Sequence, residues 1–201
     1  AGVDVSMGPL FTAIVYDRRK KRLKWDLAAI VALQVAALAY GVYTLHQGRP
    51  AFVVLVKDRF EVTSPADLKS DDRLAARDNP FARFDPIAPR WVAARMPEDS
   101  KESLSITLDA ISEGRDVQHH PKFYVALSAE SATALERALP ISRLRSLNAG
   151  RDAQIDALVA ASGRPEAELA YLPLRGPAHD GAVIIDRSDA RVHSVATRTP
   201  W

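Results

Sequence analysis

The sequence predicts an α+β protein in two parts: an N-terminal transmembrane helical hairpin, then an antiparallel sheet with packed helices. Three observations carry that expectation. Residues 27–45, LAAIVALQVAALAYGVYTL, hold no charged side chain, and Gln34 and Thr44 are the two clearly polar ones. A basic run, Arg18, Arg19, Lys20, Lys21, Arg22 and Lys24, separates that stretch from an earlier apolar one over residues 1–16. Beyond residue 46, strand-like and helix-like runs follow one another without the βαβ rhythm of a parallel sheet. The expected division is therefore a membrane hairpin over 1–45 and an α+β domain over 46–201. Within the hairpin we expect a partial first helix, a basic loop at 17–26 and a transmembrane helix at 27–45.

As a helix, 27–45 is about 28 Å long, close to the ~30 Å thickness of bilayer hydrocarbon. Apolar residues occupy nearly its whole circumference, as lipid requires. Trp25 at one end and Tyr40 and Tyr43 near the other suit the two membrane interfaces. Residues 1–16 are short for a span and begin without Met, and are expected to be the C-terminal part of a longer membrane helix. The positive-inside rule then puts the topology-setting loop Arg18–Lys24 in the cytoplasm and 46–201 across the membrane, in the periplasm of a bacterium with two membranes. Asp4 falls twelve residues before Tyr16, roughly 18 Å deeper in the membrane. An intramembrane carboxylate is costly unless paired, so Asp4 is either a functional group or a bond within the protein's own bundle. Gly2, Gly8 and Pro9 beside it permit close helix approach.

Charge sharpens this division. The 201 residues hold 27 Lys+Arg and 25 Asp+Glu. Residues 1–45 carry six cations and three acids, leaving 21 cations and 22 acids for the remainder. The positive excess thus sits in one short loop and not on a broad face, which argues against nucleic acid as a partner. With no Cys, disulfide frameworks, Cys-ligated metal and thiol catalysis are excluded.

In the second part, residues 51–56 (AFVVLV) and 60–63 flank the charged Lys57, Asp58 and Arg59, predicting a bent strand or hairpin. Ser64-Pro65 reads as the start of a helix running toward Arg77. Three prolines make 78–90 a surface loop, and 91–96 a strand. Residues 98–112 read as a helix with Leu104, Ile106, Leu108 and Ile111 as its apolar positions and Gly114 as its stop. Helices are also expected over 128–138, stopped by Pro140, and over 149–161, burying Ile155, Leu158 and Val159. Residues 171–174 read as a strand, and 182–185 and 192–195 as a hairpin over a polar turn.

Chemistry-bearing patterns are few. Walker, GxGxxG, GxSxG and HExxH motifs are absent from the sequence. His119-His120 is the best metal candidate, but adjacent rings rarely converge on one ion, and a polar loop is the plainer reading. His179-Asp180 lacks a nucleophile in its neighbourhood. Asp71-Asp72 and Glu98-Asp99 suit helix beginnings. The expectation is a non-enzyme with no catalytic residue, metal or cofactor.

GVDVSMGPLFTAIVYD, LKWDLAAIVALQVAALAYGVYTL, QGRPAFVVLVKDRFEV and the closing YLPLRG and AVIIDRSDARVHSVATRTPW together resemble type IV pilin accessory proteins of the TfpX/TfpZ type. The resemblance runs from Gly2 to Trp201 and is densest over 2–67. Trp25 replaces an expected Phe, Phe123 a common Tyr, and Ser188-Asp189-Ala190 a Gly-containing turn. The resemblance implies a bacterial inner-membrane protein that assists or modulates type IV pilus assembly. The implied partners are a type IV pilin subunit, the lipid bilayer and other pilus assembly proteins. Under that reading Gly2, Asp4, Gly8, Pro9 and Gln34 are the candidates for contact with a partner in the membrane. Two alternatives stay open: a membrane-tethered envelope enzyme, glycan-modifying or hydrolytic, using His119, His120 or His179, and a scaffold for another envelope machine.

Overall fold

A computed structural model describes residues 23–196 and 199–201. The chain divides into two units, Ala1–Arg49 and Pro50–Trp201. The first helix of the expected hairpin, the loop residues Arg18, Arg19, Lys20, Lys21 and Arg22, and the candidates Gly2, Asp4, Gly8 and Pro9 lie outside the described residues.

The described part of the first unit is one helix, α1 (Leu23–Gly48). Its Leu- and Ala-rich composition favours helix, and Gly48 with Pro50 two residues on ends it. Lys24 is exposed near its start.

The second unit is built on an eight-stranded sheet, counted among the described residues. Its strands are β1 (Phe52–Val56), β2 (Arg59–Thr63), β3 (Arg90–Ala94), β4 (Tyr124–Ala126), β5 (Leu139–Pro140), β6 (Leu169–Arg175), β7 (Gly181–Asp186) and β8 (Val192–Ala196). They lie in the order β4-β3-β1-β2-β6-β7-β8, with β5 added on β6. The helices are α2 (Ser70–Ala75), α3 (Ser100–Glu113), α4 (Ser131–Arg137), α5 (Ile141–Leu147) and α6 (Asp152–Ser162).

The α+β class is as the sequence predicts, but the sheet is mixed. Hairpins β1–β2, β6–β7 and β7–β8 are antiparallel, whereas β1–β3 and β2–β6 are parallel. The chain returns beside β1 as β3, running in the direction of β1, and later beside β2 as β6, running in the direction of β2. β1 is consequently central and buried along its whole length, and for that reason reads FVVLV without alternation.

One sheet face gathers Val53, Leu55, Phe60, Leu172, Leu174, Val183 and Ile185 under Ala134 and Leu135 of α4. The opposite face carries two separate clusters. Phe52, Val54, Val56 and Val92 meet Ile106 of α3, and Leu169, Tyr171 and Ile184 meet Leu144 of α5 and Ile155 of α6. Register places Glu61 and Thr63 opposite Val54 and Phe52, on that same face. Glu61 is buried, and Arg59 Nε donates to its carboxylate at 2.6 Å.

Several local expectations change. The helix expected from Ser64 breaks into a single turn, Pro65–Asp67, before α2. Ser64 N–H and hydroxyl both donate to Asp67 at 2.7 Å, which closes the turn, and Leu68 is extended. Residues 127–130 form a 3-10 turn ahead of α4. α5 and β5 were not foreseen: Pro140 stops one helix and starts the next. α3 is where the sequence puts it, capped by Asp99, whose side chain accepts from Lys101 N and Glu102 N, and ended by Gly114 at φ +70°. Its packing is different. Only Ile106 is buried, while Leu104, Leu108 and Ile111 stand out on the exposed face. In α6, Ile155 is buried and Leu158 and Val159 are half-buried.

Candidate functional site

Within α1, Lys24–Gly48 is long and apolar enough to cross a membrane, about 37 Å at 1.5 Å per residue. Its large side chains, among them Leu33, Val35, Leu38 and Leu45, are exposed around the helix. Trp25 and the pair Tyr40 and Tyr43 mark the two ends of the apolar stretch. Thr44 donates its hydroxyl to the Tyr40 carbonyl at 2.9 Å and so satisfies itself inside the helix. Gln34 is exposed near mid-span. In hydrocarbon its carboxamide gains from a hydrogen-bonding partner on another helix.

In the second unit, the His119-His120 pair lies in a polar network tying α2 to α3. His120 Nδ1 is 3.1 Å from Asp72 Oδ1 of α2, and its Nε2 is 3.9 Å from Asp109 Oδ2 of α3. Arg115 donates to the other Asp72 oxygen, and Lys69 pairs with Glu113 at 2.6 Å. His120 is buried, and both its Nε2 and His119 Nδ1 are inaccessible and lack a hydrogen-bond partner. Burial pulls the His119 pKa below 6.5, with Asp67 and Glu61 opposing that shift and Arg115 and His120 adding to it. Among the described residues, no group of three or more His, Cys, Asp or Glu is arranged to hold a metal. The network's visible work is to clamp two helices.

His179 is exposed, and its neighbour Asp180 accepts the Trp201 indole N–H at 3.1 Å. Asp71 and Asp72 do fall in the first turn of α2, and Asp99 caps α3. A further acid, Asp186, is buried at the end of β7. The Ser188 hydroxyl and N–H donate to it at 2.6 and 2.8 Å, with Arg164 and His193 nearby. These groups hold its carboxyl down at about 2, so it stays ionised as the anchor of the β7–β8 turn. Gly181 sits where β7 and β8 nearly touch: a Cβ there would lie 2.6 Å from the Ala196 carbonyl oxygen.

Three surfaces escaped the sequence reading. The apolar stripe of α3 is one; its i, i+4, i+7 spacing is legible in the sequence, but its exposure is not. A groove of about 680 Å³ beside the edge strand β8, lined by Trp91, Leu127, Val192 and Val195, is the second. The third is the seat of residues 199–201, held by Asn148 and Tyr171. The latter two join residues far apart in sequence and left no local pattern.

The chain is similar to two curated proteins of Dichelobacter nodosus, each 28% identical. The "Fimbrial assembly protein, serogroup I" matches over 192 residues, which are 93% of this chain and 74% of that one. The "Fimbrial assembly protein, serogroup E1" matches over 193 residues, 94% and 74% respectively. A third, the "Fimbrial assembly protein, serogroups C1 and C2", is 36% identical over 75 residues, 36% of this chain and 56% of its own length. No protein-family model matches the chain, and no solved structure matches it.

Proposed function

We propose that this chain is a non-enzymatic inner-membrane accessory protein that binds a type IV pilin subunit and assists or modulates pilus assembly. The carrying observation is its similarity, over 93% of its length, to a protein named for fimbrial assembly. A helix that presents apolar side chains on all sides supports the membrane location. Under this reading residues 46–201 are periplasmic and the basic residues 18–24 are cytoplasmic.

The mechanism is bivalent holding. A pilin subunit waiting in the membrane presents an apolar helix and an outer domain, and this chain offers a counterpart to each. Two linked contacts raise avidity without either being strong. Gly2, Asp4, Gly8, Pro9 and Gln34 form the membrane contact, with Asp4 meeting a cation on the pilin. Other pilus assembly proteins are secondary partners.

The test is in-cell photo-crosslinking of the full-length protein, with probes placed along α1 and on the second unit. Capture of pilin, together with loss of surface pili on gene deletion, is the expected result. Normal piliation after deletion and no captured pilin would overturn the reading. Asp4→Leu is expected to abolish capture from the membrane probes; unchanged capture and piliation would remove Asp4 from the contact.

A further inference from the structure

The two edges of the sheet are finished differently. β4, at one edge, has three residues, and Asn79 covers it by donating from Nδ2 to the Tyr124 carbonyl at 2.9 Å. β8, at the other edge, has no such cover. Its ladder with β7 fixes which of its groups are used. Asp186 N–H donates to the Arg191 carbonyl at 2.9 Å, so with a period of two Ile184 and Ala182 also turn their main-chain groups toward β8. Their partners Ser194 and Ala196 face back, and Val195 between them turns its N–H and C=O outward. Beyond the β7 ladder, no hydrogen bond among the described residues reaches a main-chain group of residues 192–195.

The space beside this open edge is shaped and lined. Trp91 of β3 and Leu127, directly after β4, come from the opposite end of the sheet order, yet share one groove with Val192 and Val195 of β8. The sheet therefore curls toward itself, and the groove of about 680 Å³ lies between its two ends. Arg191 is exposed where the chain enters β8, and its guanidinium has no ion-pair partner among the described residues. The nearby Asp189 accepts the Arg191 main-chain N–H at 2.9 Å instead.

Each feature restricts the occupant. Free main-chain groups on an edge strand call for a second main chain in extended form, which supplies N–H and C=O at matching intervals. Trp91, Leu127, Val192 and Val195 call for apolar side chains on the side turned into the groove. Arg191 calls for a carboxylate at the end that passes it. Walls on both sides leave room for one strand and not for the edge of another sheet.

We propose that β8 and this groove form a strand-addition site for a single extended segment of a partner protein, apolar on its inward side and acidic at its C-terminal end. The segment lies antiparallel to β8, so that its acid passes Arg191. The proposal concerns the second unit alone and stands whether or not pilin is the partner.

The probe is a fluorescent, C-terminally amidated peptide, Gly-Ala-Val-Ile-Ile-Asp. It copies residues 181–186 of β7, the antiparallel partner that β8 accepts on its other side. With the full chain in lipid nanodiscs, fluorescence anisotropy should show saturable binding. Methylating one alternate set of the peptide's amide nitrogens should weaken binding about tenfold, and methylating the other set should not, because a strand pairs through every second residue. Val195→Pro should weaken it similarly while the second unit melts as before, since the lost N–H lies outside the β7 ladder. Arg191→Gln should weaken it about threefold at low salt. Absence of saturable binding overturns the proposal, as does binding indifferent to both methylations. Undiminished binding to Arg191→Gln overturns it as well. If Val195→Pro fails to fold, the methylated peptides decide.

Discussion

Val, Leu and Ala make up much of both α1 and the central strand β1, yet the two regions handle them in opposite ways. In β1, Val53, Val54 and Leu55 are buried by strands on both sides and clusters on both faces. In α1, Leu33 is 72% and Leu38 68% exposed, and none of its residues 24–48 is buried. Apolar surface gains roughly 25 cal/mol per Å² on leaving water, so the β1 residues realise that gain within the chain. The α1 residues must realise it against lipid or another helix. α3 lies between these cases: Ile106 is inside, and Leu104, Leu108 and Ile111 are outside.

The sharpest way to break the comparison is to shorten a side chain in each region. Leu172→Ala, in the sheet core, should lower unfolding stability by about 2–5 kcal/mol in a denaturant titration. Leu38→Ala should leave that midpoint unchanged. Leu38→Arg reverses the roles, since a centre-span arginine costs about 2.5–3.5 kcal/mol of insertion free energy. The protein should become carbonate-extractable while its second unit melts as before. Asp99→Ala removes both capping bonds of α3 and should cost about 1 kcal/mol, read from the same titration.

A smaller effect comes from pH. Half-buried His119 has a folded pKa below its unfolded 6.5, so the unfolded chain takes up the proton first as pH falls. The stability contribution is complete above about pH 6.5. It is then lost as pH drops toward the folded pKa. Thermal melts at pH 7.5 and 5.5 should therefore converge in His119→Gln relative to the parent. Smallest of all, Leu108→Ser on the exposed face of α3 should change stability by no more than about 0.5 kcal/mol. A larger loss would place Leu108 in the core after all.

Legibility followed sequence distance. The β1–β2 hairpin, α3 with its Asp99 cap and Gly114 stop, and the β7–β8 hairpin were readable because the residues that shape each are neighbours. α5 and β5 were hidden because Pro140 reads as a stop and also serves as a helix start. The clamp of Asp72, Arg115 and His120 was not readable, since its partners lie 43 and 48 residues apart. Asn148 and Thr199 are 51 apart. Of the proposed membrane contacts only Gln34 falls among the described residues, exposed as its place in an apolar span requires.

By itself, the sequence determined the apolar span, the α+β class and the positions of most elements. Those follow from local composition, periodicity and capping, which act within a turn or a hairpin. Tertiary structure alone decided the parallel joins, which face of α3 is covered, and which polar groups meet. Each depends on crossovers that bring distant segments together, and the side chains at those meetings carry no mark of their partners until the backbone has closed.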